Sequence, residues 1–140
     1  MRGANLEGAN LREAHLESAH LVEANLKGAN LTGAWLSSSH MAGADLSGAD
    51  ATDAKIFWTK MYYANLTGAN LTNAWVGDSD LSGANLTGAN LTGTRLGLTR
   101  LYGVNLTDTN MTGAYMDGAL IYQATWCRTI TSSGALKSDC

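Results

Sequence analysis

Every twentieth residue from His15 to Tyr115 is aromatic or cationic: His15, Trp35, Lys55, Trp75, Arg95 and Tyr115. If residues twenty apart stack, these groups alternate at roughly 5 Å, the range in which an ammonium or guanidinium is attracted to an aromatic face. Phe57, Trp58, Tyr62, Tyr63, Tyr102 and Tyr122 lie close by in sequence and are predicted to face outward. Aromatics grouped with Arg on a surface are the chemistry of an interface core. The candidate interaction surface is therefore Trp35, Lys55, Phe57, Trp58, Tyr62, Tyr63, Trp75, Arg95 and Tyr115. The same stacking can also serve only to hold one layer on the next.

Other chemistry is sparse. His20 and His40 fall in one column with His15 beside it, but no carboxylate or thiol at matching spacing completes a metal-ligand set. No GxSxG, HExxH or phosphate-loop pattern occurs, so no catalytic residue, cofactor site or metal site is assigned and no enzymatic activity is expected.

The frame that positions these groups is a period of five. Every fifth residue from Met1 to Trp126 is apolar, and the residue two before it is nearly always small, as in Ala4, Ala9, Ala14 and Ala24. Five matches neither a helix nor an ordinary strand. One large and one small residue in each five face inward, which requires a chain that turns a corner every five residues. A period of twenty overlies it. The blocks starting at Ala24, Ala64 and Ala84 each begin with two near-identical pentapeptides and end with two that vary. One coil of four sides follows, two uniform and two individual. The uniform sides carry columns of Asn and Asp, predicted to form an amide ladder, beside Thr columns whose regular spacing could order water. A column of Ser39, Thr59, Ser79 and Thr99 lies inside and needs hydrogen-bond partners.

These repeats resemble the pentapeptide-repeat family, with the unit A-(D/N)-L-x-x, over residues 4 to 128. The resemblance implies an all-β solenoid, a right-handed quadrilateral parallel β-helix of about six coils, occupying residues 1–128. It also supplies an alternative function, since some members imitate DNA and bind type II topoisomerases such as gyrase. Residues 129–140 are expected to form a capping hairpin or tail, with Ser132-Ser133-Gly134 at its turn. Its Cys-Arg-Thr run, Gly turn and closing Cys resemble the ending of some extracytoplasmic members, which implies a disulfide between Cys127 and Cys140. Two free thiols in a reducing compartment are the other possibility. The disulfide would place the protein in the periplasm, a lumen or outside the cell; free thiols would place it in the cytoplasm.

Net charge is −3, from 12 acidic and 9 basic residues. That is a weak field for attracting nucleic acid and too little for imitating its phosphates. No apolar run is long enough to span a membrane, and no signal peptide is present. The first coil starts in phase at Met1 with no cap in this sequence, so either a natural cap has been removed or another chain, such as a second copy, meets the open coil end; a second copy could also meet the aromatic side. The sequence-level expectation is a rigid, non-enzymatic structural or binding module whose partner is a protein, a glycan or itself.

Overall fold

The computed structural model describes residues 1–138 and 140. The backbone is a β solenoid: residues twenty apart pair in parallel along the whole rod, from Asn5 with Asn25 to Asn110 with Ile130. Four such pairing positions occur per coil. The sides beginning at Asn5, Asn10, His15 and His20 are called sides one to four.

Extended strands are short. Among the described residues, only β1 (Arg100–Tyr102) and β2 (Leu120–Tyr122) pair over three residues, in parallel, and β3 (Thr129–Ile130) pairs antiparallel with β4 (Leu136–Lys137). Elsewhere each side contributes one bridging residue before the chain turns. The turn is closed by a bond such as Ala9 N–H to Leu6 O (3.0 Å), and coils are joined by bonds such as Leu6 N–H to Asn25 O (2.7 Å).

Each corner places its third residue in the left-handed region, from Gly3 at φ 62° to Arg128 at φ 52°. Glycine suits that position, yet thirteen other residues adopt it, including Trp58, Tyr63 and Leu98. The bulky ones need room above them. A Cβ on Gly83 would stand 2.5 Å from the Tyr63 ring, and one on Gly118 would stand 2.7 Å from Leu98 Cδ2. Tyr63 and Leu98 thus sweep over the next coil, and the glycines twenty residues later accommodate them; Trp58 faces Asp78 instead.

The core is the predicted one. Leu26, Leu46, Leu66, Leu86 and Leu106 are 0–1 % exposed, as are Ala24, Ala44, Ala64 and Ala84. Leu6, Leu11, Leu16 and Ala19 in the first coil are only half-buried, because a coil covers them on one side alone. The internal hydroxyls bond to backbone rather than to one another: Thr59, Ser79 and Thr99 donate to the carbonyls of Leu36, Ile56 and Val76, and Thr94, Thr109 and Thr129 follow the same pattern. Ser39 Oγ is buried with no hydrogen-bond partner among the described residues.

The amide columns bond along the rod, as expected, and also within each corner: Asn65 Nδ2 donates to Asp45 Oδ1 at 3.0 Å, and Asn70 and Asn90 Nδ2 donate to the Thr52 and Thr72 hydroxyl oxygens of the preceding coil at 2.9 Å. Asn25 Nδ2 reaches Asn5 Oδ1 at 3.2 Å and Asn90 reaches Asn70 at 3.4 Å. The shorter bonds are local: Thr67, Thr87 and Thr107 hydroxyls donate at 2.6–2.7 Å to the Oδ1 two residues before them. These Thr columns therefore spend their hydroxyl protons inside the corner rather than on a water lattice.

Two ladder positions are charged. The Ser47 backbone N–H holds the Asp45 carboxyl below its ordinary value, and the Thr52 hydroxyl does the same for Asp50. A carboxyl whose folded value is lowered contributes stability above the ordinary Asp range, near 4, and that contribution is lost as pH falls through the lowered value. We expect the double substitution Asp45→Asn, Asp50→Asn, which restores the residue used elsewhere in the ladder, to flatten the fall in thermal midpoint below about pH 4. An unchanged acid limb would remove these two groups from the account.

Candidate binding face

The face is created by what side three lacks. On sides one and two, an Asn or Asp stands at each bridging position from Asn5 to Asn110, and its Oδ1 accepts the backbone N–H two residues on, as in Thr72 to Asn70 and Thr92 to Asn90. Side three carries His15, Trp35, Lys55, Trp75, Arg95 and Tyr115 instead, none of which has an Oδ1 at that position. Among the described residues, the backbone N–H groups of Ser37, Phe57, Gly77 and Gly97 accordingly have no protein acceptor. Buried backbone donors are nearly always paired, and Gly77 is buried.

Glycine at 77 answers to space, not to backbone conformation. A Cβ there would lie 3.1 Å from Gly97 O and 3.3 Å from Trp75 Nε1. The N–H edge of the Trp75 indole therefore lies over Gly77. With no side chains at 77 and 97, a groove of about 560 Å³ opens between the Trp75–Arg95–Tyr115 column and the corner residues Asp78 and Leu98. A second groove of about 450 Å³ lies across the same column, against Asp53, Lys55 and Asn73.

Predicted surface residues separate into groups. Arg95 Cζ sits 5.7 Å from the Trp75 ring centre, and the Phe57 ring packs 5.0 Å from both Trp75 and Trp58. Lys55 shares the second groove, its Nζ donating to Asp53 O at 2.7 Å. Phe57, expected to face out, is half-buried between its neighbours. Trp58 and Tyr62 line a third groove of about 290 Å³ on side four, with Lys60, Asp80 and Arg100. Trp35 stands apart, stacked on His15 at 5.9 Å. Tyr63, 74 % exposed, meets Tyr62 edge to face at 6.0 Å beside that third groove.

Trp58, Tyr63 and Leu98 are at once large, apolar, more than 60 % exposed and left-handed. Their left-handed backbone is shared with all the other corners, so what sets them apart is exposed apolar area, the kind of surface that marks a partner. Sequence reasoning missed Leu98, Gly77, Gly97, Asp78 and Asp117. The signal was present in one column, which reads Glu17, Ser37, Phe57, Gly77, Gly97 and Asp117 and loses its side chain in two successive coils.

The imidazoles do not converge. His15 bonds Glu17 at 3.1 Å, while His20 and His40 meet edge to face at 5.3 Å. The Glu17 carboxyl is held below its ordinary value, first by its own backbone N–H and then by His15. Among the described residues no group of three His, Cys, Asp or Glu side chains could hold a metal ion, and no helix is long and apolar enough to cross a membrane.

At the far end Cys127 and Cys140 are joined in a disulfide. Of the predicted 129–140 tail, Asp139 lies outside the described residues. Arg128 forms a two-pronged pair with Asp108 at 2.5 and 2.6 Å, which lowers the Asp108 carboxyl, and Lys137 Nζ lies 4.5 Å from the Trp126 ring centre.

Eight copies of the pentapeptide-repeat family model match, over residues 1–37, 29–62 and 64–103. The chain belongs to the pentapeptide-repeat family. Several solved pentapeptide-repeat structures are similar to it. HetL from the cyanobacterium Nostoc, described as involved in heterocyst differentiation regulation, is 33 % identical over 98 % of this chain, with a TM-score of 0.45; the chain spans 65 % of HetL's length. QnrB1, a plasmid-mediated fluoroquinolone resistance protein, superimposes with a TM-score of 0.75 at 21 % identity, over 94 % of this chain and 70 % of its own. A pentapeptide-repeat protein of the Arabidopsis thaliana thylakoid lumen has a TM-score of 0.50 at 24 % identity, over 81 % of this chain and 72 % of its own. No curated protein matches by sequence. For this pentapeptide-repeat chain the likenesses speak to fold, and the argument for function rests on side three.

Proposed function

We propose that the protein is a non-enzymatic binding module, a right-handed rod of about six coils that presents side three to a partner molecule or to a second copy. The observation that carries this reading is the clustering of Trp75, Arg95 and Tyr115 on a ridge between two grooves, where the two uniform sides carry self-satisfied amide corners. Residues 129–140 act as the cap of the last coil. The disulfide between Cys127 and Cys140 supports a periplasmic, lumenal or secreted location, where such bonds persist.

Imitation of DNA toward a topoisomerase ranks below this reading. It needs dense negative charge, whereas the net charge is −3 and most ladder positions are Asn. Nucleic acid itself is an unfavourable partner for the same weakly negative rod.

Replacing Trp35, Trp75 and Tyr115 together with Ser tests the module. All three side chains are 40 % exposed or more, so the thermal midpoint should hold. Self-association in analytical ultracentrifugation, or capture of a partner, should be lost. If the variant keeps the oligomeric state and the captured partners of the parent protein, side three is not the interface.

A further inference from the structure

We infer that the groove floored by Gly77 and Gly97 is a glycan site, taking a neutral oligosaccharide laid along the rod. The inference rests on the binding-module reading and adds the chemistry of the occupant.

The groove holds unpaired donors and unpaired acceptors side by side. Among the described residues, the groove donors without a protein acceptor are the Gly77 and Gly97 backbone N–H groups, the Trp75 indole N–H over Gly77, and the Arg95 guanidinium, which lies against the indole and forms no ion pair. The acceptors are the carboxylates of Asp78 and Asp117, which line the same groove and receive no hydrogen bond from a described residue. A hydroxyl group accepts from one set and donates to the other. A ligand rich in hydroxyls can satisfy both sets at once, which an anion or a cation cannot.

Charge decides against the alternatives. Counting both grooves, Asp53, Asp78 and Asp117 face Lys55 and Arg95, so a polyanion meets more repulsion than attraction. A cationic ligand would have to settle against Arg95, at the centre of the ridge. Apolar surface is present in the form a sugar ring can use. Tyr115 is 64 % exposed and Leu98 61 % exposed, at opposite walls, offering faces for the C–H side of a pyranose while its hydroxyl edge meets the donors and carboxylates. The floor residues repeat once per coil, about 4.8 Å apart, so successive sugars of one chain would meet successive coils. Similar open sites bind weakly per sugar and gain by length.

Affinity gel electrophoresis tests this with soluble laminarin, xyloglucan, xylan and chitohexaose as neutral probes and heparin as the anionic one. The intact protein should be retarded by at least one neutral probe, independently of salt. Asp78→Asn with Asp117→Asn, both at exposed corners, should weaken that retardation at least tenfold with an unchanged thermal midpoint. Tyr115→Ala provides a second variant with the same expected loss. Absence of retardation by every neutral probe, retardation by heparin alone, or equal binding by these variants would overturn the glycan assignment. If side three still mediates self-association or captures a protein while no neutral glycan binds, the module stands and only the occupant is wrong.

Discussion

Leu86→Ala is expected to lower the unfolding free energy by about 3–5 kcal/mol, the upper part of the range for buried leucines. Leu86 is fully buried, between Leu66 one coil before and Leu106 one coil after. The coils cannot close over the lost volume. Their spacing is set by bonds such as Leu66 N–H to Asn85 O and Leu86 N–H to Asn105 O, 2.7 and 2.8 Å. Relaxation would have to break those bonds, so the cavity persists and its full cost is felt. The half-buried Leu6 has one covering coil, and Leu6→Ala should cost only about 1 kcal/mol. Urea titrations of both variants measure the difference. Equal costs would mean that stability is not set coil by coil, as a solenoid requires.

Removing the disulfide should be as costly, but local. Cys127 and Cys140 are 13 positions apart, and closing such a loop is worth about 3 kcal/mol in the chain-entropy model. The tail it closes supplies acceptors to the last coil: Met111 N–H bonds Ile130 O at 2.8 Å, and Gly113 N–H bonds Ser132 O at 2.9 Å. It also carries Lys137 over the half-buried Trp126. With Cys127→Ser and Cys140→Ser, hydrogen exchange at Met111 and Gly113 should accelerate by about two orders of magnitude. Exchange at Leu46 and Leu66, in the middle of the rod, should not change. Uniform acceleration along the chain would show that the tail is coupled to the whole rod instead.

The core was legible because its signal is repeated at every coil: Leu26, Leu46 and Leu66 face inward for one reason, stated many times over. Corner conformation was legible where the residue was Gly28 or Gly48, and hidden where it was Trp58 or Leu98. Nothing in an indole predicts a left-handed backbone; the surrounding coils impose it. The destination of the Asn side chains was hidden for a different reason. Stacked amides bond along the rod and into their own corner at once, and an Asn column does not show the Thr oxygen that joins the two: the Thr72 hydroxyl donates to Asn70 Oδ1 at 2.7 Å and accepts from Asn90 Nδ2 at 2.9 Å. For the site, columns correctly aligned Lys55, Trp75, Arg95 and Tyr115. They could not separate Trp35, which is occupied with His15, nor reveal the groove, because a groove is made by the missing side chains of Gly77 and Gly97. The unpaired backbone donors beneath side three are visible only once the corner bonds of the other sides are known.

The parallel register of twenty also restricts how such a chain can change its length. Gain or loss of a whole coil leaves every column in line and only shortens or lengthens the rod. Gain or loss of a single pentapeptide keeps the core phase intact, yet turns everything beyond it by one side. A pentapeptide deleted between Trp75 and Arg95 would leave a folded rod with the indole on one side and the guanidinium on the next. The molecule thus tolerates two classes of insertion as a fold but only one as a surface, the step of four repeats.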